Sequence, residues 1–136
     1  MIALILASVL SGPIPCNVVR VVDGDTFEVA CHTWIGTAVT TIVRVRGIDT
    51  PEKAPRAKCP EEAALAVRAS KFTHDALPPG QLVWLTEIDN DKFGGRVDAT
   101  VQYDEPTAPG RSLSQKLIAA GLAREYDGGK KSSWCK

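Results

Sequence analysis

The chain of 136 residues carries no net charge at neutral pH, because 16 Lys and Arg balance 16 Asp and Glu. That excludes a protein that holds nucleic acid mainly through a broad basic surface, whose affinity comes from many neutralised phosphates. A polyanionic substrate would need a site that concentrates a few arginines or brings a cation of its own. Histidine is scarce too. His32 and His74 stand far apart and no Cys-x-x-Cys occurs, so no zinc-site spacing is present. No apolar run reaches the roughly 20 residues of a membrane-spanning helix. Without internal repeats or low-complexity segments, the length reads as one domain with its own core.

What apolar run there is, MIALILASVL followed by SGPIP, opens the chain. It has the length and flanks of the hydrophobic part of a signal peptide, although no Lys or Arg precedes it. Residues 1–12 are therefore read as a signal peptide and 13–136 as the mature domain, which predicts a secreted or periplasmic protein. An even count of four cysteines suits such an oxidising compartment.

In VVDGDTFEV, residues 21–29, an Asp-Gly pair interrupts alternating apolar residues. This is a strong hairpin signal, since glycine accepts a positive φ at no steric cost. With Asp23-Gly24 as a two-residue turn, Val22 faces Asp25 and the same register sets Cys16 opposite Cys31. These two are expected to bond, leaving Cys59 and Cys135 as the pair that tethers the tail. A bulge in either strand would break the register.

The β-branched stretch TAVTTIVRVRGID, 37–49, reads as a third strand ending at Gly47. A helix follows from Pro60, with Glu61 and Glu62 in its first turn and Pro78-Pro79-Gly80 as its stop. Its repeating Leu65, Ala69, Phe72 and Ala76 read as a packing face. QLVWLTEI and RVDATVQY are two more strands, joined through DNDKFGG. EPTAPG is a loop, and Ser112 with Gln115 has the capping-box spacing of a short helix ended by Gly121. The rest, LAREYDGGKKSSWCK, reads as an irregular tail. Five strands, a helix between the third and fourth, and two or three helices in all predict a mainly β OB-fold, a five-stranded Greek-key barrel. Phe27, Trp34, Phe72 and Trp84 are expected in the core or at its rim. Arg46 is expected at the barrel rim.

Three segments carry polar residues that strands and turns do not require: DGDT at 23–26, RVRGIDTPE at 44–52 and DKFGGR at 91–96. In this order they resemble the staphylococcal nuclease family. Its members share a D-G-D-T turn, an arginine five residues before D-T-P-E, and an arginine after a D-K-Y-G-like turn. The likeness spans about residues 17–126. It implies an OB-fold that uses Ca²⁺ to hydrolyse DNA and RNA, preferably single-stranded, with little sequence preference, leaving 3′-phosphates. Carried over by motif, Asp25 and Asp49 would be carboxylate ligands and Thr50 a carbonyl ligand, a hard oxygen set suited to Ca²⁺. Glu52 would orient or deprotonate the attacking water, while Arg44 and Arg96 would grip the phosphate. Asp23, Lys92 and Phe93 would support the ligands or the substrate phosphates.

Two departures from the family pattern bear on these assignments. Gly94-Gly95 puts Arg96 one residue late, an insertion that two glycines absorb easily. Phe93 replaces a tyrosine, keeping the ring and losing the hydroxyl. Nothing in the sequence demands a partner subunit or stable membrane association, so a monomer is expected. The alternatives are a non-catalytic OB-fold nucleic-acid-binding module and a purely structural disulfide-bonded domain.

Overall fold

Alternation along the first hairpin puts Cys16, Val18, Phe27, Val29 and Cys31 on one face, and all five are buried. The computed structural model describes residues 9–103 and 112–136. Its strands are β1 (Val9–Leu10), β2 (Ile14–Asp23), β3 (Thr26–Trp34), β4 (Thr37–Val45), β5 (Ile48–Asp49), β6 (Leu82–Asn90), β7 (Arg96–Gln102) and β8 (Arg124–Glu125). The helices are α1 (Pro60–Ala76) and α2 (Leu113–Ala119). Of the expected signal peptide, residues 1–8 lie outside the described residues, and Val9–Leu10 pair with Ile88 and Asp89 of β6. The EPTAPG loop also lies outside them.

Strands β2, β3 and β4 form an antiparallel meander; β4 runs parallel to β7, and β6 pairs antiparallel with both β7 and β2. Five strands thereby close into a mixed barrel, the OB-fold arrangement expected from the element order. Inward residues from β4, β6 and β7 (Val43, Val45, Val83, Leu85, Ala99 and Val101) complete the core with the first hairpin. Leu113 and Leu117 of α2 close one side of it.

The first turn is one residue later than expected. Asp23 pairs with Thr26, so Gly24-Asp25 form the turn, and two register shifts, between Val18 and Arg20 and between Val21 and Asp23, return Cys16 to Cys31. The Cys16–Cys31 bond forms as expected because the bulges together offset the displaced turn, and Cys59–Cys135 is the second bond. Gly24 does not supply a positive φ either. A Cβ there would stand 2.9 Å from the Ala69 Cβ, so the glycine lets α1 lie against the turn. Thr73 Oγ1 donates to the Gly24 carbonyl at 2.7 Å across this contact.

Helix α1 turns a narrower face inward than its apolar spacing predicts. Its most buried residues are Glu62, Ala66, Ala69 and Thr73, while Leu65, Phe72 and Ala76 pack along the flank. Small residues permit the close approach that Gly24 requires. Ser112 caps α2 by accepting the Gln115 N–H at 3.4 Å, and Gly121 follows at φ 74°.

The third strand, β4, stops just short of Gly47, φ 79°, where its end was expected, and β5 follows the glycine. Two further expectations are corrected. The tail is not wholly irregular, because Arg124–Glu125 pair with β5. Trp34 is outside the core, 77% exposed beside Ile35 at the β3–β4 tip. No described helix is long and apolar enough to cross a membrane.

Candidate active site

The displaced turn delivers Asp25. Its carbonyl accepts the Val45 N–H at 2.8 Å, which seats the turn on β4. Thr26 Oγ1 donates to Asp25 Oδ1 at 3.0 Å, and Arg44 Nη2 lies 3.8 Å from Oδ2. Arg44 reaches this position because it pairs with Thr26 across β3 and β4. It also donates to the Ile48 carbonyl at 3.1 Å, bridging the turn to β5.

Arg96 arrives from the parallel neighbour. Ile42 pairs with Arg96 and Arg44 with Asp98, so the two arginines share a face, offset by one strand repeat of about 7 Å. Arg96 bonds to Asp91 Oδ2, which also accepts the Phe93 N–H at 3.1 Å. Gly94 and Gly95 lie in this loop, where Gly95 takes φ 87°. Phe93 is exposed, with Lys92 Nζ 5.3 Å and the Arg96 guanidinium 5.0 Å from its ring centre.

Asp91 and Asp98 behave as a pair. Burial works against a charge on Asp91, but bonds from Arg96, Asp98 and the Phe93 amide outweigh it and hold Asp91 below the usual range. Burial, then the bond to Asp91 and its charge, push Asp98 up to about 6, against the pull of Arg44 and Arg46. Asp98 Oδ1 is buried without a hydrogen-bond partner. Arg46 bonds to the Glu87 carbonyl at 3.1 Å and to Asp89 at 3.4 Å, the rim position expected for it.

Glu52 sits on the loop between β5 and α1, and a buried glutamate shapes that loop. Glu62 Oε2 accepts the Glu52 N–H at 3.0 Å and Oε1 the Lys58 N–H at 2.9 Å. Burial raises the Glu62 pKa, but these two bonds and the charges of Lys58 and Arg124 bring it below its ordinary value. The Glu52 carboxylate is half-exposed, 3.8 Å from Arg56 and 4.0 Å from Lys131. Asp23 pairs with Lys53 at 2.9 Å.

One cleft of about 710 Å³ collects most of the residues named by motif: Asp23, Asp25, Arg44, Thr50, Glu52 and Arg96, with Lys92 and Phe93 at its edge. Asp49 is not on it. It lines an adjoining hollow of about 700 Å³, buried, with Trp134 Nε1 donating to Oδ2 at 3.2 Å and Lys131 Nζ 3.1 Å from Oδ1. Carboxylate and carbonyl oxygens are the donor types a hard cation takes, but the structure sets Asp49 apart from Asp25, with the Lys131 ammonium as its positive charge. Among the described residues, three close ligand atoms also meet at Cys59, Glu62 and Cys135, but those cysteines are bonded to each other and offer no thiolate.

Motif reasoning named Asp91 only as the start of DKFGGR, and it missed Glu62, Asp98, Lys131 and Trp134 as parts of this region. A signal existed for the tail pair, since bonding Cys135 to Cys59 returns the chain end to within seven residues of Glu52.

The closed OB-type barrel thus brings Arg44, Arg96, Glu52, Asp23 and Asp25 onto one cleft. The staphylococcal nuclease homologue family model matches residues 42–133, and the chain belongs to that family. A search of curated proteins finds no match. The family match covers RVRGIDTPE and DKFGGR but begins after DGDT, which the Asp25–Arg44 contact joins to them.

Proposed function

We propose that the protein is a Ca²⁺-dependent nuclease that hydrolyses phosphodiester bonds of DNA and RNA with little sequence preference, leaving 3′-phosphate ends. The observation that supports this best is the convergence of Arg44 and Arg96, from adjacent strands, with Glu52 and Asp25 on one cleft. Planar, permanently charged guanidinium groups make paired bonds to phosphate oxygens and stabilise charge that builds there in the transition state. Each arginine exchanges a carboxylate companion, Asp25 or Asp91, for the substrate phosphate.

Glu52 takes a proton from the attacking water. The water oxygen forms the new bond to phosphorus as the bond to the 5′-oxygen breaks, and that oxygen leaves with a proton taken from solvent. Glu62 holds the Glu52 backbone, so only the side chain has to be oriented during the reaction. Asp25, Asp49 and the Thr50 carbonyl would hold Ca²⁺, which supplies charge neutralisation and a more acidic water when bound. Lys53 keeps Asp23 paired at the margin of this set. Lys92 and the exposed Phe93 ring extend the cleft toward a neighbouring phosphate and an unpaired base, which favours single strands.

The working protein is a monomer, secreted or periplasmic after loss of residues 1–12. Two disulfides and the lack of a membrane-crossing helix among the described residues are compatible with an extracellular location. An intact Met1 on native exported protein would remove the signal-peptide reading.

Denatured DNA and RNA incubated with the purified domain, in Ca²⁺ or in EGTA, test the activity. Cleavage only with Ca²⁺, giving 3′-phosphate ends, is expected. Intact substrate in the presence of folded protein and saturating Ca²⁺ would favour the alternative, an OB-fold module that binds nucleic acid without cutting it.

A further inference from the structure

The C-terminal tail is bonded to the site it covers. Cys135 joins Cys59, the N-cap residue of α1, and the residues just before it contact Asp49. Trp134 is held in turn: the Arg124 guanidinium stacks 3.8 Å from its ring centre and donates through Nη1 to the Ser133 carbonyl at 2.6 Å. Lys131 touches both carboxylates, 3.1 Å from Asp49 Oδ1 and 4.0 Å from Glu52 Oε1, and its ammonium lies 5.4 Å from the Tyr126 ring centre. A buried carboxylate must have its charge met, and Asp49 at 6% exposure has it met by this ammonium.

We propose that Lys131 is a competing cation built into the site: it pairs with Asp49 in the free protein, leaves it when a divalent ion binds, and so sets the metal affinity. The inference rests on the metal-dependent reading above. Two cations on one buried carboxylate repel, so Lys131 and the ion exclude each other. Withdrawal needs no unfolding, because the Lys131 side chain is 44% exposed, has a flexible stem and already lines the main cleft as well as the adjoining hollow. The tether keeps the ammonium close, at a high local concentration that a free ion must overcome. Trp134 carries no charge, so its N–H can stay on the other Asp49 oxygen and keep that carboxylate oriented.

Ca²⁺ alone is titrated by calorimetry into the full disulfide-bonded chain and into Lys131→Met and Lys131→Arg. Lys131→Met, which keeps length without charge, is expected to bind about tenfold more tightly, and Lys131→Arg to stay near the wild type. Equal or weaker binding by Lys131→Met overturns the inference. Cleavage by the same preparations separates the two readings. If wild type cuts only with Ca²⁺ while Lys131→Met binds no tighter, Lys131 does not compete and the nuclease reading stands. Tighter binding without cleavage by any form sustains the competition and removes the nuclease. Absence of Ca²⁺ binding from all three forms overturns both.

Discussion

The two ends of the β3–β4 hairpin are made from similar strands and have opposite surroundings. At one end Thr26 faces Arg44, and Asp25, Ile48 and α1 crowd around them through hydrogen bonds. At the other, Trp34 and Ile35 stand in solvent at 77% and 91% exposure. The disulfides follow the same division. Cys16–Cys31 links residues already paired in a hairpin and 15 apart, whereas Cys59–Cys135 joins residues 76 apart and fixes the tail over the polar end. Large apolar side chains at the tip thus stand in solvent, while the long-range covalent bond and the polar links gather at the other end.

If that contrast is functional, the largest effects belong to the polar end. Glu52→Gln is expected to lower turnover about 10²–10⁴-fold with an unfolding midpoint close to wild type, and Arg96→Ala about 10²–10³-fold with a lowered midpoint, because buried Asp91 loses its guanidinium partner. Steady-state cleavage of denatured DNA, set beside urea unfolding, checks both; near-normal turnover in either removes that residue's role.

Next comes the tether. Cys135→Ser should cost about 2–4 kcal/mol of stability by chemical denaturation, because the closed loop is long. A loss as small as that of a surface substitution would mean that the tail holds its place without the bond.

A smaller effect is expected at Asp98. The folded chain binds this proton up to about pH 6, the unfolded chain only up to near 3.8. Between those values the folded state holds more protons, so stability falls as pH rises through the window and levels off above it. Asp98→Asn cannot ionise, so it should flatten that slope and stabilise the protein by about 1–2 kcal/mol at pH 7. Asp91 acts in the opposite sense, since its lowered pKa gives stability present near neutrality and lost in acid. Parallel slopes for Asp98→Asn and wild type between pH 4 and 6 would assign the pH dependence elsewhere.

The least is expected from the bare tip. Trp34→Ser should shift stability by less than about 0.5 kcal/mol and leave cleavage unchanged. A larger loss would show that the exposed end is packed after all, and the contrast would fail.

Much of this architecture was legible because alternation and capping are local. The hairpin, the helix from Pro60, Ser112 as a cap and the element order all follow from side chains a few residues apart. The first turn shows the limit of local reading: bulges in β2 displaced it without changing the cysteine partners. Burial of Glu62 was invisible for a different reason. A first-turn glutamate ordinarily stays in water beside the helix dipole, and only the approach of loop 50–58 turns it into an acceptor for two amides. At the site, motif spacing named most of the residues that line the cleft, Asp49 excepted, but Lys131 lies in a GGKK run with the look of a solvated segment. Its position depends on a bond between residues 76 apart.

The Glu62 clasp bears on how this region can vary. Its two oxygens hold main-chain N–H groups of Glu52 and Lys58, not their side chains. The shape of the segment between them is therefore recorded in a residue outside it. Positions such as Ala54 and Ala57 are open to drift or deliberate randomisation, provided one carboxylate in the helix is kept. A library spread over that loop should yield many active members, and one spread over position 62 very few.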